Sequence, residues 1–307
     1  MISAMSSPRP IAAGPVEMGR PRRPVAMNWT RRPEGAWAVA FILPYATVLL
    51  AFAASPIAAA LWMTRSSALY SELFAEPLYW PAVVNTLLFV GIGVNLKMVL
   101  ALLLSGFFMQ RHWWVRALLV IFVVPWFLAT VQAFISFHWM LIGEYGFLDS
   151  FLREVFDIDG PIWLNSWVLA LGSNIVAYVW KWMPLWTLIF LAGRMAIPQE
   201  VYDQADIDGA TGLRRFIHVT FPLLANLYLV CTLLATLWAA GDFATAYFVS
   251  GGAPVNSTNV LATLSFRYAF DDARPAIGIA AGFSALPVLI PIAIVLMRRL
   301  QTRELQL

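Results

Sequence analysis

Long apolar runs alternate with short polar ones along the 307 residues. Six runs reach the roughly 20 residues a helix needs to cross a hydrocarbon core about 30 Å thick. They cover 36–62, 82–106, 115–141, 167–193, 222–249 and 276–297. Lipid offers backbone amides no partner, so each run must satisfy its own hydrogen bonds as a helix. The pattern predicts an all-α membrane protein with six transmembrane helices in a domain over 36–300. Residues 1–35 are rich in Pro, Arg, Gly and Ser and lack an apolar stretch. They are expected to form a disordered tail, neither a signal peptide nor a folded domain. Residues 301–307 make a second, short tail.

Composition sharpens this picture. The chain is 61% hydrophobic and 12% charged, with 14 tryptophans, far from the usage of soluble domains. A net charge of +3 with scattered basic residues excludes a nucleic-acid-binding stripe. The single Cys231 lies in an apolar run, which excludes a disulfide framework and reads as packing.

Arginine is distributed by side. With six spans, one side holds Arg9, Arg20, Arg22, Arg23, Arg31, Arg32, Arg111, Arg116, Arg194, Arg214, Arg215, Arg298, Arg299 and Arg303, and the other only Arg65, Arg153, Arg267 and Arg274. Fourteen against four, or thirteen without the distant Arg9, puts both termini in the cytoplasm. Trp113, Trp114 and Trp167 fall at span ends and suit interfacial belts.

That orientation places the loop 194–221 in the cytosol, with Glu200, Asp203, Asp206 and Asp208 crowded into it. Acids neither help insertion nor follow the inside bias, so they need another reason. Pro198 can open a helix, Glu200 and Asp203 suit its first turns, and Gly209 can supply the left-handed residue that ends it. Val201, Ala205 and Asp208 share one face, with Ile197 ahead of them. Ala210 to Val219 is expected as a second short helix, ending where Pro222 opens the next span. The result is an amphipathic hairpin at the membrane surface. The outer loop 142–166 is also acidic (Glu144, Asp149, Glu154, Asp157, Asp159) and reads either as a solvated face or as a partner contact.

The loop carries a specific resemblance. It reads Asp203-Gln204-Ala205, Asp206-Ile207, Asp208-Gly209-Ala210, then Val219-Thr220-Phe221-Pro222. This is similar to the Glu-Ala-Ala, two residues, Asp-Gly-Ala, Ile-x-Leu-Pro pattern of the membrane subunits of bacterial ATP-binding-cassette importers. Aspartate for glutamate at Asp203 and glutamine for alanine at Gln204 depart from it. "GDFATAYFVSGGAPVNSTNVLATLSFRYAF" (241–270) and "VWKWMPLW" (179–186) resemble the carbohydrate-type permeases of the maltose and glycerol-3-phosphate systems, and the likeness covers about 36–300. The resemblance implies the type I importer permease architecture with a cytoplasmic coupling helix in the bacterial inner membrane. It further implies that Glu200, Val201, Tyr202, Asp203, Gln204, Ala205, Asp206, Ile207, Asp208, Gly209 and Ala210 dock on an ATPase. The implied partners are a second permease chain in a heterodimer, two ATPase subunits and an extracytoplasmic substrate-binding protein, besides lipid. This chain itself is expected to bind no cofactor or metal. No GxxxxGK[ST] occurs in it, so ATP and Mg belong to the partner ATPase.

Polar residues inside spans mark a pathway, because each is costly unless it faces a cavity or a partner. Asn174, Tyr178 and Lys181 recur on one helical face. Asp242 is the only acid within a span, and it follows Gly241, where a helix can bend. Trp238, Asp242, Phe243 and Tyr247 combine hydrogen-bonding and aromatic groups suited to sugar rings. Gln132 and His138, and Asn85, Asn95 and Lys97, complete the polar set. Gln132, Asn174, Tyr178, Lys181, Trp238, Asp242, Phe243 and Tyr247 form the candidate substrate pathway. Asn85 reads as a cap or an interhelical hydrogen bond. Lys97 either snorkels toward headgroups or faces the pathway. Asp242 either contacts sugar hydroxyls or holds a bent helix, and an ion pair with Lys181 is not expected, their depths differing by about 10 Å. Apart from Arg116 at the very edge of the third run, no span holds arginine, which favours a sugar over an anionic polyol, though Lys181 keeps the second open. A secondary transporter would need membrane carboxylates, of which only Asp242 qualifies. An enzyme is disfavoured: neither HExxH nor GxSxG occurs, and no two carboxylates share a span. No catalytic residue is assigned.

Overall fold

The computed structural model describes residues 33–304. Most of the predicted tails lies outside the described residues, while 33–35 and 301–304 continue the first and last helices. All regular structure among the described residues is helical. Five helical stretches are long and apolar enough to span a membrane, and a sixth candidate is a bent pair.

The chain falls into two contact units, Met1–Ala58 and Ala59–Leu307. The first holds α1 (Pro33–Leu49), a π-helical turn at Leu50–Ala54 and the start of α2 (Ser55–Met63). Its Trp37, Phe41, Tyr45 and Phe52 are exposed, as lipid-facing side chains of a span are.

The second unit runs through α3 (Ser67–Ala75), α4 (Tyr79–Phe108), α5 (Trp113–Phe127), α6 (Thr130–Leu141), α7 (Phe147–Phe156) and α8 (Trp167–Met195). It continues with α9 (Gln199–Ile207), α10 (Gly212–Arg215), α11 (Phe221–Ala240), α12 (Leu261–Phe266), α13 (Pro275–Phe283) and α14 (Leu286–Glu304). Helices α4, α8 and α11 share one core, in which Phe89, Met98 and Leu102 meet Tyr178, Trp186 and Phe190, with Cys231, Ala235 and Ala239 filling in. Lipid tails are as apolar as leucine, so hydrophobicity does not drive this contact. Close packing does, and the small residues permit it. Cys231 is a buried packing residue, as expected. A second cluster joins α3, α12 and α13 through Leu73, Leu264, Tyr268 and Ile277.

Four expectations are corrected. The third span is not straight, because α5 and α6 meet at a 98° bend. Leu128 and Ala129 are extended there, which frees carbonyls at the end of α5 for an outside donor. The fifth span ends at Ala240 instead of reaching 249. Gly241 ends α11, and a separate helical turn follows, closed by π-type bonds at Ala246–Ser250. Asp242 Oδ1 accepts the Thr245 amide at 2.8 Å and caps the new turn. The second arm of the cytoplasmic hairpin is not a separate helix, since α10 runs through a π-helical turn at Phe216–Thr220 into α11. Pro222 has no amide hydrogen to donate, and the wider turn before it, where the Phe221 amide reaches back to Phe216, carries the helix past that gap. In the outer loop, Asp149 is neither a solvated nor a contact residue. It is buried and accepts the Trp163 indole N–H at 2.8 Å, fixing α7 to the chain before α8.

Outer connections are bound to the bundle. Asn85 donates to the Ser257 and Asn259 carbonyls (2.6 and 2.9 Å) and accepts the Trp167 indole N–H (2.8 Å), so it is an interhelical link. The turn beyond Ser250 uses the positive φ of Gly251 and Gly252, and a Cβ on Gly252 would come within 2.9 Å of Asn259 Oδ1. Arg274 donates to Glu76 (2.6 Å) and Glu72 (2.7 Å), tying the loop before α13 to α3. Glu76 and then Glu72, by their hydrogen bonds, raise the Arg274 pKa above its ordinary value.

Candidate functional site

Two regions gather the residues singled out by the sequence. The first is α9, a short helix opened by Pro198 in extended conformation and ended by a turn in which Gly209 has φ +73° and Gly212 φ +57°. Only Ala205 of α9 is buried, with Val201 and Tyr202 partly so, while Asp203, Gln204, Asp206, Ile207 and Asp208 are exposed. The Ala210 amide reaches back to the Ala205 carbonyl at 2.8 Å, which closes the turn. Asp206 pairs with Arg215 Nη1 at 2.9 Å, and Gln199 donates to Asp203 at 3.1 Å. Glu200 points to solvent. The face shared by Val201 and Ala205 therefore turns inward, but Asp208 does not follow it.

Ile207 and Leu213 are 86% and 71% exposed on either side of the glycine turn. Two bare apolar side chains among four carboxylates form a surface shaped for a protein partner. The end of α8, from which the chain turns into α9, is tied to the close of α4: Arg194 donates to Ser105 Oγ (2.7 Å) and the Leu102 carbonyl (3.0 Å). One cavity there is lined by residues of α4, the α4–α5 turn, α8 and α9.

The second region is the interior face of α8. Lys97 on α4 is buried and donates to the Tyr178 hydroxyl at 2.7 Å, with its ammonium 4.2 Å from the Tyr178 ring centre and 5.6 Å from that of Trp186. It does not snorkel. The charge of Asp242 acts on Lys97 and on Tyr178, and Trp182 sits beside Asp242. Trp238 meets both Trp186 and Trp182, with ring centres 5.7 and 6.4 Å apart. Tyr178, Trp238 and Asp242 are thus brought together, and Lys97, Trp182 and Trp186 join them. The tryptophans are missed by a search for polar residues, although Tyr178, Trp182 and Trp186 repeat every four positions along one helix face.

Other pathway candidates separate. Lys181 donates to the carbonyls of Pro125 (2.8 Å), Trp126 (3.2 Å) and Leu128, so all three ammonium hydrogens serve the bend after α5. It is a cap supplied from a neighbouring helix. Gln132 lies exposed on α6 beside a cavity of about 280 Å³ with Trp180 and is not brought to the others. Asn174 donates to Ser250 Oγ at 2.9 Å, at the outer turn. Phe243 stacks on Tyr247 (4.6 Å) and meets Phe266 (4.9 Å), making an aromatic group that Phe270 extends. His138 bonds the Val249 carbonyl at 2.8 Å and Asn95 its own helix, so both are structural. Among the described residues no group of His, Cys, Asp and Glu could hold a metal ion.

This fold and these two regions are those of an integral transport subunit. The profile of binding-protein-dependent transport system inner membrane components matches residues 97–304, and the chain belongs to that family. It is 33% identical over 196 residues to the sulfoquinovosyl glycerol transport system permease protein SmoG of Agrobacterium fabrum, covering 63% of this chain and 62% of that relative. It is 29% identical to the trehalose/maltose transport system permease protein MalF of Thermococcus litoralis, covering 74% of this chain and 81% of MalF. Among solved structures, a chain of a bacterial alginate ABC transporter, in complex with an alginate pentasaccharide-bound periplasmic protein, superposes with a TM-score of 0.78. The superposition spans 86% of this chain and 93% of that one at 20% identity, which speaks for the fold.

Proposed function

We propose that this chain is the permease subunit of an ATP-driven importer that translocates a neutral sugar or sugar-like polyol. In this reading a binding protein on the outside delivers the substrate, a second permease chain completes the pathway, and two ATPase subunits dock from the cytosol, where both termini lie. Mg and ATP are held by those ATPase subunits. The observation that carries the reading is α9: a nine-residue helix, acidic and apolar on its exposed side, that follows α8 after a short turn and is paired to α10 through Asp206 and Arg215. A rigid element of that kind turns the closure of docked subunits into a rigid-body movement of spans. Gly209→Val places a β-branched residue at φ +73°, where such residues are strained. In vesicles containing the assembled complex, sugar uptake is expected to fall at least about ten-fold while basal ATPase activity persists. Unchanged uptake would refute the docking role.

The interior supports a neutral substrate. Lys181 has all three donors engaged, and Lys97 is buried against the Tyr178 hydroxyl, so neither lysine is presented to a substrate phosphate or carboxylate. Trp238 is exposed and offers a face for a sugar ring, with Trp182 and the buried Trp186 packed behind it. Asp242 lies just past the end of α11 and accepts the Thr245 amide, as a cap of the bent chain does.

A further inference from the structure

The α4–α5 turn carries a feature that sugar transport does not use. A cavity of about 570 Å³ opens beside it, and its lining combines Arg111, Arg116 and Arg194 with the apolar Phe108, Leu119 and Leu191. No carboxylate is among its lining residues. Arg194 is only 8% exposed, and its hydrogen-bond partners, Ser105 Oγ and the Leu102 carbonyl, are neutral. Among the described residues none of the three arginines forms an ion pair, and of the three only Arg194 is buried, its hydrogen bonds going to neutral groups. A buried guanidinium without a counter-charge is costly, and two more cations beside it raise that cost. The site is built for an anion.

The lining selects the anion. A soluble phosphate has no use for the apolar side chains, whereas an amphiphile uses both kinds of lining. The turn itself sits at headgroup depth, because Trp113 and Trp114, between Arg111 and Arg116, are exposed indoles of the kind found at membrane interfaces. Basic pockets between spans on the cytoplasmic side are where anionic headgroups bind. We infer that this cavity holds the headgroup of an anionic phospholipid, whose phosphate faces the three arginines and whose acyl chains leave along Leu119 and Leu191. The lipid would stand between the α4–α5 turn and α9, bracing the base of the helix proposed to dock the ATPase. The binding claim itself does not depend on that docking.

The test uses the purified complex, stripped of lipid in detergent, with short-chain phosphatidylglycerol as probe and native mass spectrometry as readout. The unmodified complex is expected to retain phosphatidylglycerol in preference to phosphatidylcholine. Arg111→Gln with Arg116→Gln is expected to weaken retention about thirty-fold, at the usual contribution of an arginine near a charged lipid surface. Arg153→Gln, which removes an outer arginine paired with Asp159, should leave retention unchanged. If the double variant does not assemble, the salt dependence of retention by the unmodified complex decides, with loss at high salt expected. Equal retention of both lipids, equal retention by the double variant, or indifference to salt would overturn the inference. So would displacement by inorganic phosphate at the concentration of the lipid, which would mark a soluble-anion site.

Discussion

The chain's two lysines and its four clustered acids occupy opposite settings. Lys97 and Lys181 are buried in the bundle with their donors committed, one to the Tyr178 hydroxyl, the other to three carbonyls of a bent span. Glu200, Asp203, Asp206 and Asp208 stand on a helix with one buried residue, and only Asp203 and Asp206 have a side-chain partner. A buried charge must be satisfied within the fold or it unfolds the site. An exposed charge is satisfied by water and stays available. The comparison teaches that the interior polar residues are chiefly committed to partners within the fold, whereas the acids of α9 stand largely in solvent.

The comparison breaks most sharply at Lys181. Lys181→Met leaves three carbonyls at the α5–α6 bend without donors and is expected to destabilise the chain by about 3 kcal/mol or more. The melting temperature of the purified complex should fall by about 10 °C; a stable, active variant would show that the bend needs no outside cap. Asn85→Ala removes three interhelical bonds and should cost about 2 kcal/mol, at the modest worth of such bonds in membranes, read as a lower melting temperature with substrate affinity retained. On the acidic side the effects shrink. Arg215→Gln frees an exposed Asp206 and should change stability by less than about 1 kcal/mol, while Asp203→Glu should leave uptake within about two-fold of the native rate. Sidedness is checked separately with Gln204→Cys: a membrane-impermeant thiol reagent should not label it in intact cells, and labelling from outside would place α9 on the wrong face.

Much of the site on α9 was legible in the sequence. Pro198, the acids and Gly209 marked a short helix and its left-handed end by local rules alone, and the structure has both. The interior was legible as a list of polar residues but not as an arrangement. Gln132, Asn174 and Lys181 carry the same signal as Tyr178 and Asp242, because rarity within a span says that a partner exists and not which one. Lys181 illustrates this: its partners are carbonyls 53 to 56 residues away, made available only because α5 stops at Phe127.

The sequence by itself determined the spans, their apolar lengths and the helix beneath them, since hydrocarbon thickness and backbone hydrogen bonding act locally on consecutive residues. Tertiary structure alone decided the bend of the third span, the early end of the fifth, the gathering of Lys97, Tyr178 and Asp242, and the burial of Arg194 in a cavity without an acid. Those outcomes depend on which charge meets which carbonyl across helices distant in sequence, and periodicity along one helix carries no information about its neighbour.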